Sequence, residues 1–251
     1  MRTRAQLLSS ALCLIVVCAL EFIDAHPALA YSGCGGMNRY AHQTTVLKQW
    51  NGVYAQLYTW NPAVNSLTGD FSLSHVYLWW DNIHLHPTNP FVEVGFYRGQ
   101  GCCPGNNTGV AEYYDAWGSV RDGYQERDKG VYPTQASWNS YEIVYDSFDG
   151  TNYYWDVLVN GNRIEQVINN DLQTTAQALV GGETVAHINN EIKTSAQPEV
   201  LLQAPSVAWT EWTPALMVSA QDAVTTCTDA TFTWTNYHLY DNFYVQGYVT
   251  A

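Results

Sequence analysis

The acid at position 93 stands in a run of apolar residues, FVEVGF (91–96), with the β-branched and aromatic composition of a strand. Ionised carboxylates are rarely placed among Val and Phe unless another group pairs with them or a reaction uses them. On a strand, Glu93, Gly95 and Tyr97 share one face, and the apolar residues of the run share the other. Because Gly95 has no side chain, a substrate backbone could approach the acid there.

A second acid in a similar setting is Glu183, which follows two glycines within VGGETV (180–185). Two carboxylates held close together titrate at different pH values, so one stays protonated while the other is ionised. The ionised member can take a proton from an attacking water. The protonated member can hydrogen-bond a carbonyl oxygen as negative charge develops on it. This chemistry requires a fold that brings Glu93 and Glu183 together. Without such a fold, each acid is expected to be an ordinary strand residue that faces solvent.

Short β-rich runs separated by turn signals occupy most of the chain. These runs cover 53–60, 73–80, 91–97, 109–117, 140–148, 153–161, 199–204, 230–240 and 242–249. Asn160-Gly161 predicts a tight hairpin turn inside YYWDVLVNGNRI (153–164). The competing signal is a helical spacing of apolar residues over 172–180. We therefore predict a single all-β domain, an antiparallel β-sandwich or jelly roll.

The N-terminal stretch predicts an exported protein. Two arginines precede an apolar run at 7–20, and Ala28-Leu29-Ala30 has the small-x-small form of a cleavage site. The apolar run is too short to span a bilayer comfortably. We predict a secreted, extracellular protein. Its predicted segments are a signal peptide over 1–30, a loosely packed N-terminal arm over 31–45 and the β-domain over 46–251.

The composition limits the partners that the protein can have. Asp and Glu number 23 against 10 Lys and Arg, which gives a formal net charge of −13. Such a charge argues against nucleic acid or an anionic membrane as the partner and suits work in acid. We expect a monomer. Beyond the predicted signal peptide we expect disulfides, with the pairing left open. The cysteines concerned are Cys34, Cys102, Cys103 and Cys227.

The order of motifs over 52–97 resembles the neprosin domain of secreted plant and microbial proteins. The stretch carries GVYAQLYTWNPAV, then FSLSHVYLWWDN, then NPFVEVGFY. Further downstream DGYQ (122–125), SYEIVYD (140–146), the YYWDVLVNGNRI hairpin and VGGETV follow in the same order as in that family. The resemblance covers most of residues 50–190.

What the resemblance implies is a concanavalin A-like fold and a glutamic peptidase, an endopeptidase that needs neither metal nor cofactor. The two catalytic glutamates of the family map onto Glu93 and Glu183. The related fungal glutamic peptidases place Gln where this chain has Glu93, so we assign the base to Glu183 and the electrophilic partner to Glu93. The expected substrate is a peptide or protein cleaved at acid pH, and the resemblance extends to a preference for proline.

Substrate contacts are expected from residues near the first acid. A Trp about one strand upstream borders the cleft in the family, and that role falls to Trp79 or Trp80. Gly95 and Tyr97 share the strand face of the acid, and Tyr124 lies in the matching DGYQ segment. All five are predicted to bind substrate.

Two other functions compete with peptide hydrolysis. GVAEYYDAW (109–117) loosely resembles the nucleophile strand of family 11 xylanases, and retaining glycosidases also use two carboxylates. Under that hypothesis Glu112 and Glu183 form the pair. A non-catalytic, lectin-like module would instead use the 10 Trp and 18 Tyr as stacking platforms for sugars. A peptidase should clear casein, a glycosidase should release reducing sugar from xylan, and a binding module should do neither.

Metal and serine chemistry find little support in the sequence. His84 and His86 share a strand face and with His75 could bind a metal, but exposed loop histidines beside Pro87 are the favoured interpretation. The chain contains neither HExxH nor GxSxG, the motifs of zinc peptidases and of many serine hydrolases. We therefore predict no metal site.

Overall fold

The computed structural model describes twelve stretches of the chain, and all of its regular secondary structure is β-strand. These stretches are 38–45, 50–64, 70–80, 90–99, 111–119, 123–170, 175–185, 190–202, 209–211, 217–221, 231–238 and 243–250. The predicted signal peptide, the four cysteines, and His84 and His86 lie outside the described residues. Within them, no helix is long and apolar enough to cross a lipid bilayer.

The first sheet contains seven antiparallel strands in the described residues, in the order β13-β1-β10-β3-β4-β5-β6. Their bounds are β1 Asn38–Thr45, β3 Phe71–Trp79, β4 Phe91–Gly99, β5 Glu112–Ser119, β6 Gly123–Asp128, β10 Gln177–Val185 and β13 Met217–Gln221. Strands β10, β3, β4 and β5 therefore lie side by side, and they carry both candidate catalytic acids.

The second sheet is also antiparallel, with the order β14-β15-β11-β2-β7-β8-β9, and β12 pairs with β11 beside this path. Its strands are β2 Trp50–Tyr58, β7 Trp138–Phe148, β8 Tyr153–Val159, β9 Asn162–Asn169, β11 Glu191–Leu202, β12 Trp209–Glu211, β14 Thr231–His238 and β15 Phe243–Thr250.

Alternating apolar side chains hold the two sheets face to face. Val92, Val94 and Phe96 of β4 are buried in one core with Val53 and Leu57 of β2. A strand places every second side chain on the same face, so each sheet offers one apolar layer to the other. The prediction of an all-β antiparallel sandwich is confirmed.

The hairpin predicted around Asn160-Gly161 is confirmed. Asn160 and Gly161 have φ values of 51° and 73°, and they join β8 to β9, which pair antiparallel. Positive φ at both central residues is the requirement of the tight turn that Asn-Gly favours.

Two other predictions fail in the described residues. Residues 176–180 of the helical candidate 172–180 are extended: Ala176 forms a bridge with Trp50, and β10 begins at Gln177. Strand β10 pairs with β3 from Gln177 onward and with β1 from Leu179 onward, so strand pairing fixes this segment as extended. Residues 38–45 of the predicted loose arm are strand β1, paired with β10 on one side and β13 on the other.

A chain of charges connects the edges of the two sheets. Asp115 of β5 is fully buried and forms an ion pair with Lys129, whose Nζ also lies 3.4 Å from Glu165 Oε2 of β9. Burial raises the pKa of the Asp115 carboxyl, and the contact with Lys129 offsets only part of that effect. Ionising Asp115 therefore costs more in the folded protein than in the unfolded chain.

Replacing Asp115 with Asn should change how stability depends on pH. Because the folded-state pKa lies above the ordinary value of 3.8, the wild-type protein loses stability as pH rises through that interval. The variant cannot ionise at this position. We will compare the unfolding temperatures of Asp115→Asn and wild type by thermal melts. The difference, variant minus wild type, should increase from about pH 3 to about pH 7.

Asp149→Asn is the matched control with the opposite sign. Hydrogen bonds from Tyr154 and from the backbone of Asn152 and Thr151 lower the pKa of Asp149 to about 2. The ionised carboxylate of Asp149 therefore stabilises the wild type at pH values above its unfolded-state pKa. The Asp149→Asn variant lacks this contribution, so its unfolding temperature relative to wild type should decrease as pH rises. If Asp115→Asn also loses stability relative to wild type as pH rises, the ion pair with Lys129 outweighs burial, and the pKa of Asp115 is lowered and not raised.

Candidate active site

One face of the first sheet points away from the second sheet, and we call it the outer face. It consists of alternate residues of adjacent strands, which the pairing register places in cross-strand rows. The central row contains His42 of β1, Gly181 of β10, His75 of β3, Gly95 of β4 and Tyr114 of β5.

His75 lies at the middle of the central row and contacts side chains on both sides. Its Nδ1 lies 3.5 Å from Glu93 Oε2 and 3.3 Å from the Tyr114 hydroxyl. Its Nε2 lies 3.2 Å from Nε2 of His42. The His75 side chain is only 2% exposed and that of Glu93 10%. The first candidate acid is therefore part of a polar cluster of four titratable side chains, of which His42 is half-buried and the other three are buried.

The two glycines of the central row make these contacts sterically possible. His42 and Tyr114 lie two strands away from His75, and in each case the strand between them carries a glycine. A side chain at Gly181 or Gly95 would stand on the same face, about 5 Å from each neighbour in the row. At Gly95 even a Cβ would come within 2.0 Å of the Ser74 carbonyl oxygen, because β3 approaches closely there.

The phenol of Tyr114 is buried beside several acidic groups. It is 1% exposed, and burial raises the pKa of its phenol well above the ordinary value. The negative charge of Glu93 raises this pKa further, followed by Tyr124, Glu183 and Glu126. The phenol of Tyr114 is therefore kept neutral by burial and by the acidic groups around it.

Glu93 and Glu183 share the outer face, with His75 midway between them. Glu93 pairs with Tyr77 of β3, whereas Glu183 pairs with Leu73, four residues earlier on the same strand. In a flat sheet this register separates the two Cα atoms by about 13 Å along the strands and about 10 Å across them, or about 16 Å in total. Glu93 is 8% exposed, and Glu183 is more accessible.

Gln177 is a polar residue of the outer face that the sequence analysis missed. Its Oε1 accepts a hydrogen bond of 2.5 Å from the indole N–H of Trp79. The register places its Cα about 12 Å from that of Glu93 in a flat sheet, nearer than Glu183. The signal that could have found it is the alternation over 177–183, which puts Gln177 on the same face as Glu183.

The predicted substrate-binding residues divide between the two faces. Trp79 and Tyr97 lie on the outer face, where both are buried. Tyr124, at 49% exposure, lies at the edge of this face and contacts Phe91, with ring centroids 5.9 Å apart. Trp80 turns the other way and packs edge-on against Trp155 in the inter-sheet core. Of the two tryptophans, Trp79 is thus the one that can border the site.

The alternative pair Glu112 and Glu183 lies in one row but is three strands apart. Leu73 and Tyr97 stand between them. The Cα separation is about 14 Å in a flat sheet, similar to that of Glu93 and Glu183, so backbone spacing alone does not separate the two pairs. Glu112 Oε1 also accepts a hydrogen bond of 2.8 Å from the backbone N–H of Gly130. The carboxylate of Glu112 is therefore held at the β5–β6 side of the sheet.

The structure describes only one of the three histidines that the sequence analysis considered as metal ligands. His75 is bound to Glu93, Tyr114 and His42 as described above. Among the described residues, no group of three or more His, Cys, Asp or Glu side chains is arranged to hold a metal ion.

Comparison with known proteins finds similarity only at the level of structure. No family model matches the chain, and no curated protein matches it. Scytalido-glutamic peptidase, solved with a peptide-based transition-state analogue, superposes with a TM-score of 0.47 at 8% identity, over 84% of this chain and 98% of that chain. SCP-B, a member of the eqolisin family of peptidases, gives 0.46 at 8% identity with the same coverage.

Glycoside hydrolases of the same architecture also match. The Bacillus licheniformis β-glucanase superposes with a TM-score of 0.36 at 10% identity, over 84% of this chain and 71% of that chain. The structures similar to this chain thus include both peptidases and glycosidases. At these identities and TM-scores the similarity does not decide between the two activities, and the resemblance to the neprosin domain stays a prediction.

Gly95→Ala tests the close packing of the central row. The added methyl group would overlap the backbone of Ser74 and His75, and overpacking usually costs about 1–3 kcal/mol, more where backbone must move. We expect a clear fall in the free energy of unfolding in urea, together with loss of the His75–Tyr114 contact.

Gly123→Ala is the control for Gly95→Ala. Gly123 has a φ of 67° and open space around its missing Cβ, so Ala there costs only the backbone strain of about 1 kcal/mol. Equal losses in the two variants would contradict the tight approach of β3 to Gly95.

Proposed function

We propose that the protein is a secreted hydrolase of peptide bonds, a glutamic endopeptidase that works in acid through Glu93 and Glu183. The observation that carries the proposal is the pairing register of the first sheet, which puts Glu93 and Glu183 on the same face with His75 midway between them. The motif order that resembles the neprosin domain points to the same two residues.

The chemistry needs one acid ionised and the other protonated. Like charges in proximity push the two titrations apart, so this mixed state is populated over an interval of acid pH. The ionised carboxylate takes a proton from water as the water attacks the amide carbon. The protonated one donates a hydrogen bond to the carbonyl oxygen and then helps to protonate the leaving amine. The resemblance predicts Glu183 as the base and Glu93 as the electrophile. The contact of Glu93 with His75 favours the reverse, because a protonated histidine stabilises an ionised carboxylate. We therefore propose Glu93 as the base and Glu183 as the electrophile.

The proposed mechanism sets a geometric requirement. A single water can contact both carboxylates only when their nearest oxygens are within about 6 Å, two hydrogen-bond lengths. With Cα atoms about 16 Å apart in a flat sheet, the two side chains must lean toward each other across His75. The glycines of the central row leave no side chain of β10 or β4 in the way.

Glu93→Gln and Glu183→Gln, each made alone, should reduce peptide hydrolysis by about 10²–10⁴-fold, the usual worth of a general acid or base. The assay is casein cleavage at about pH 3–5, where carboxyl groups titrate. Glu142→Gln is the matched control. Glu142 lies on β7 of the second sheet, and its side chain is on the face away from the core, whereas those of Tyr141 and Ile143 are in the core. It should keep full activity.

Two results would contradict the pairing. Full activity in both single variants removes both acids from the chemistry. The second contradicting result is an active Glu183→Gln together with an inactive Gln177→Ala. Glu93 would then act with the amide of Gln177, so the peptidase activity would stand but the two-glutamate mechanism would be wrong. Release of reducing sugar from a β-glucan without cleavage of casein would favour the glycosidase, and neither activity would favour the binding module.

A further inference from the structure

The outer face is rich in acid and poor in positive charge. Its described carboxylates are Glu93, Glu112, Glu126 and Glu183. Among the side chains that the structure describes on this face, only His42 and His75 can carry a positive charge. Arg98 alternates to the opposite face, where its guanidinium donates to the Pro62 carbonyl. The counter-charge available to Glu93 on this face is therefore a histidine.

The contact between the two histidines restricts the protons that they can hold. A hydrogen bond between Nε2 of His42 and Nε2 of His75 requires one proton between the two nitrogens, so the two rings cannot both carry a proton there. If His42 donates, the remaining proton of a neutral His75 is on Nδ1, directed at Glu93 and Tyr114. If His75 donates, a second proton on Nδ1 makes it an imidazolium that pairs with Glu93.

We propose that His75 is a positioning residue for Glu93, and that the His42–His75 pair supplies the positive charge that holds Glu93 in its working orientation. The proposal rests on the function proposed above, in which Glu93 is the base. Tyr114 stays a neutral hydroxyl, and His42, half-buried, connects the pair to solvent.

The consequence is a second limit on activity at higher pH. A buried carboxylate is costly unless a charge or hydrogen bonds compensate it. When the histidine pair loses its shared extra proton, Glu93 loses its counter-charge, and the rate should fall. Other titratable groups also face the cluster and contribute to the profile. They are Tyr77 of β3, Glu183 of β10, Tyr97 of β4, Glu112 and Tyr114 of β5, and Tyr124 and Glu126 of β6.

His75→Gln tests the proposal through the pH profile of kcat. Gln can donate a hydrogen bond to Glu93 but cannot carry charge. We expect kcat at the optimum to fall about 10-fold, because a charge-assisted hydrogen bond is roughly twice as strong as the neutral one that Gln can keep. KM should stay within about twofold because His75 is buried away from substrate. The high-pH limb of the profile should shift, because only the ionisation of the protonated glutamate then sets it. An unchanged limb in this variant would overturn the proposal.

Two further variants separate positioning from folding. Ser74→Ala changes the neighbouring residue on β3, whose side chain faces the core and bonds to Thr194; it should lower stability and leave the pH profile unchanged. His42→Gln can keep a hydrogen bond to His75 but cannot share a titrating proton, and it should shift the high-pH limb. If His75→Gln does not fold, His42→Gln alone decides, and an unshifted limb contradicts the proposal.

A readout without activity distinguishes failure of this proposal from failure of the proposed function. The ring C–H signals of His75 can be titrated by NMR in the wild type and in Glu93→Gln. We expect the His75 midpoint to move when the carboxylate is removed, and identical curves would overturn the pairing. If the midpoint moves but no variant affects peptide cleavage, the pairing stands and the peptidase proposal fails.

Discussion

Contact across glycine is the constraint on which the candidate site depends. Side chains on strands that are not neighbours meet at His75 because Gly181 and Gly95 leave the positions between them empty. In an ordinary sheet the intervening side chains would keep His42, His75 and Tyr114 apart. The glycines thus convert three separate positions of the outer face into one connected polar cluster, and Glu93 joins it through Nδ1 of His75.

This cluster explains how a sheet that is packed on its inner side by apolar residues can also bury polar groups on the other side. Leu73, Trp79, Phe91 and Leu179 form a second apolar cluster on the outer face, around the polar one. Buried polar atoms in such surroundings need partners, because an unmatched one costs about 1–3 kcal/mol. The imidazole and hydroxyl groups meet this need mutually, and a polar network with its partners in place favours the fixed geometry that the proposed chemistry requires.

The sequence predicted the architecture and the faces of individual strands better than the relations between strands. Alternation and the Asn160-Gly161 turn are local signals. Alternation predicted the strands and the face of Glu93, and the turn predicted the hairpin of β8 and β9. The order of strands is not local: β10 lies between β1 and β3 although nearly a hundred residues separate it from β3. Hence the contacts of His42 with His75 and of Gln177 with Trp79 could not be predicted, although alternation over 177–183 is enough to put Gln177 on the face of Glu183. The helical spacing at 172–180 failed for the same reason, since strand pairing with β3, joined by β1 from Leu179 onward, outweighs a weak local preference.

The most direct test of the two-acid chemistry is the distance between the carboxyl groups of Glu93 and Glu183 in a crystal structure of the protein at acid pH. Two acids that act on one water must have their nearest oxygens within about 6 Å, with a single ordered water hydrogen-bonded to both. That is the result we expect. A separation above about 9 Å, with each carboxylate solvated by itself, would contradict the pairing of these residues in peptide hydrolysis.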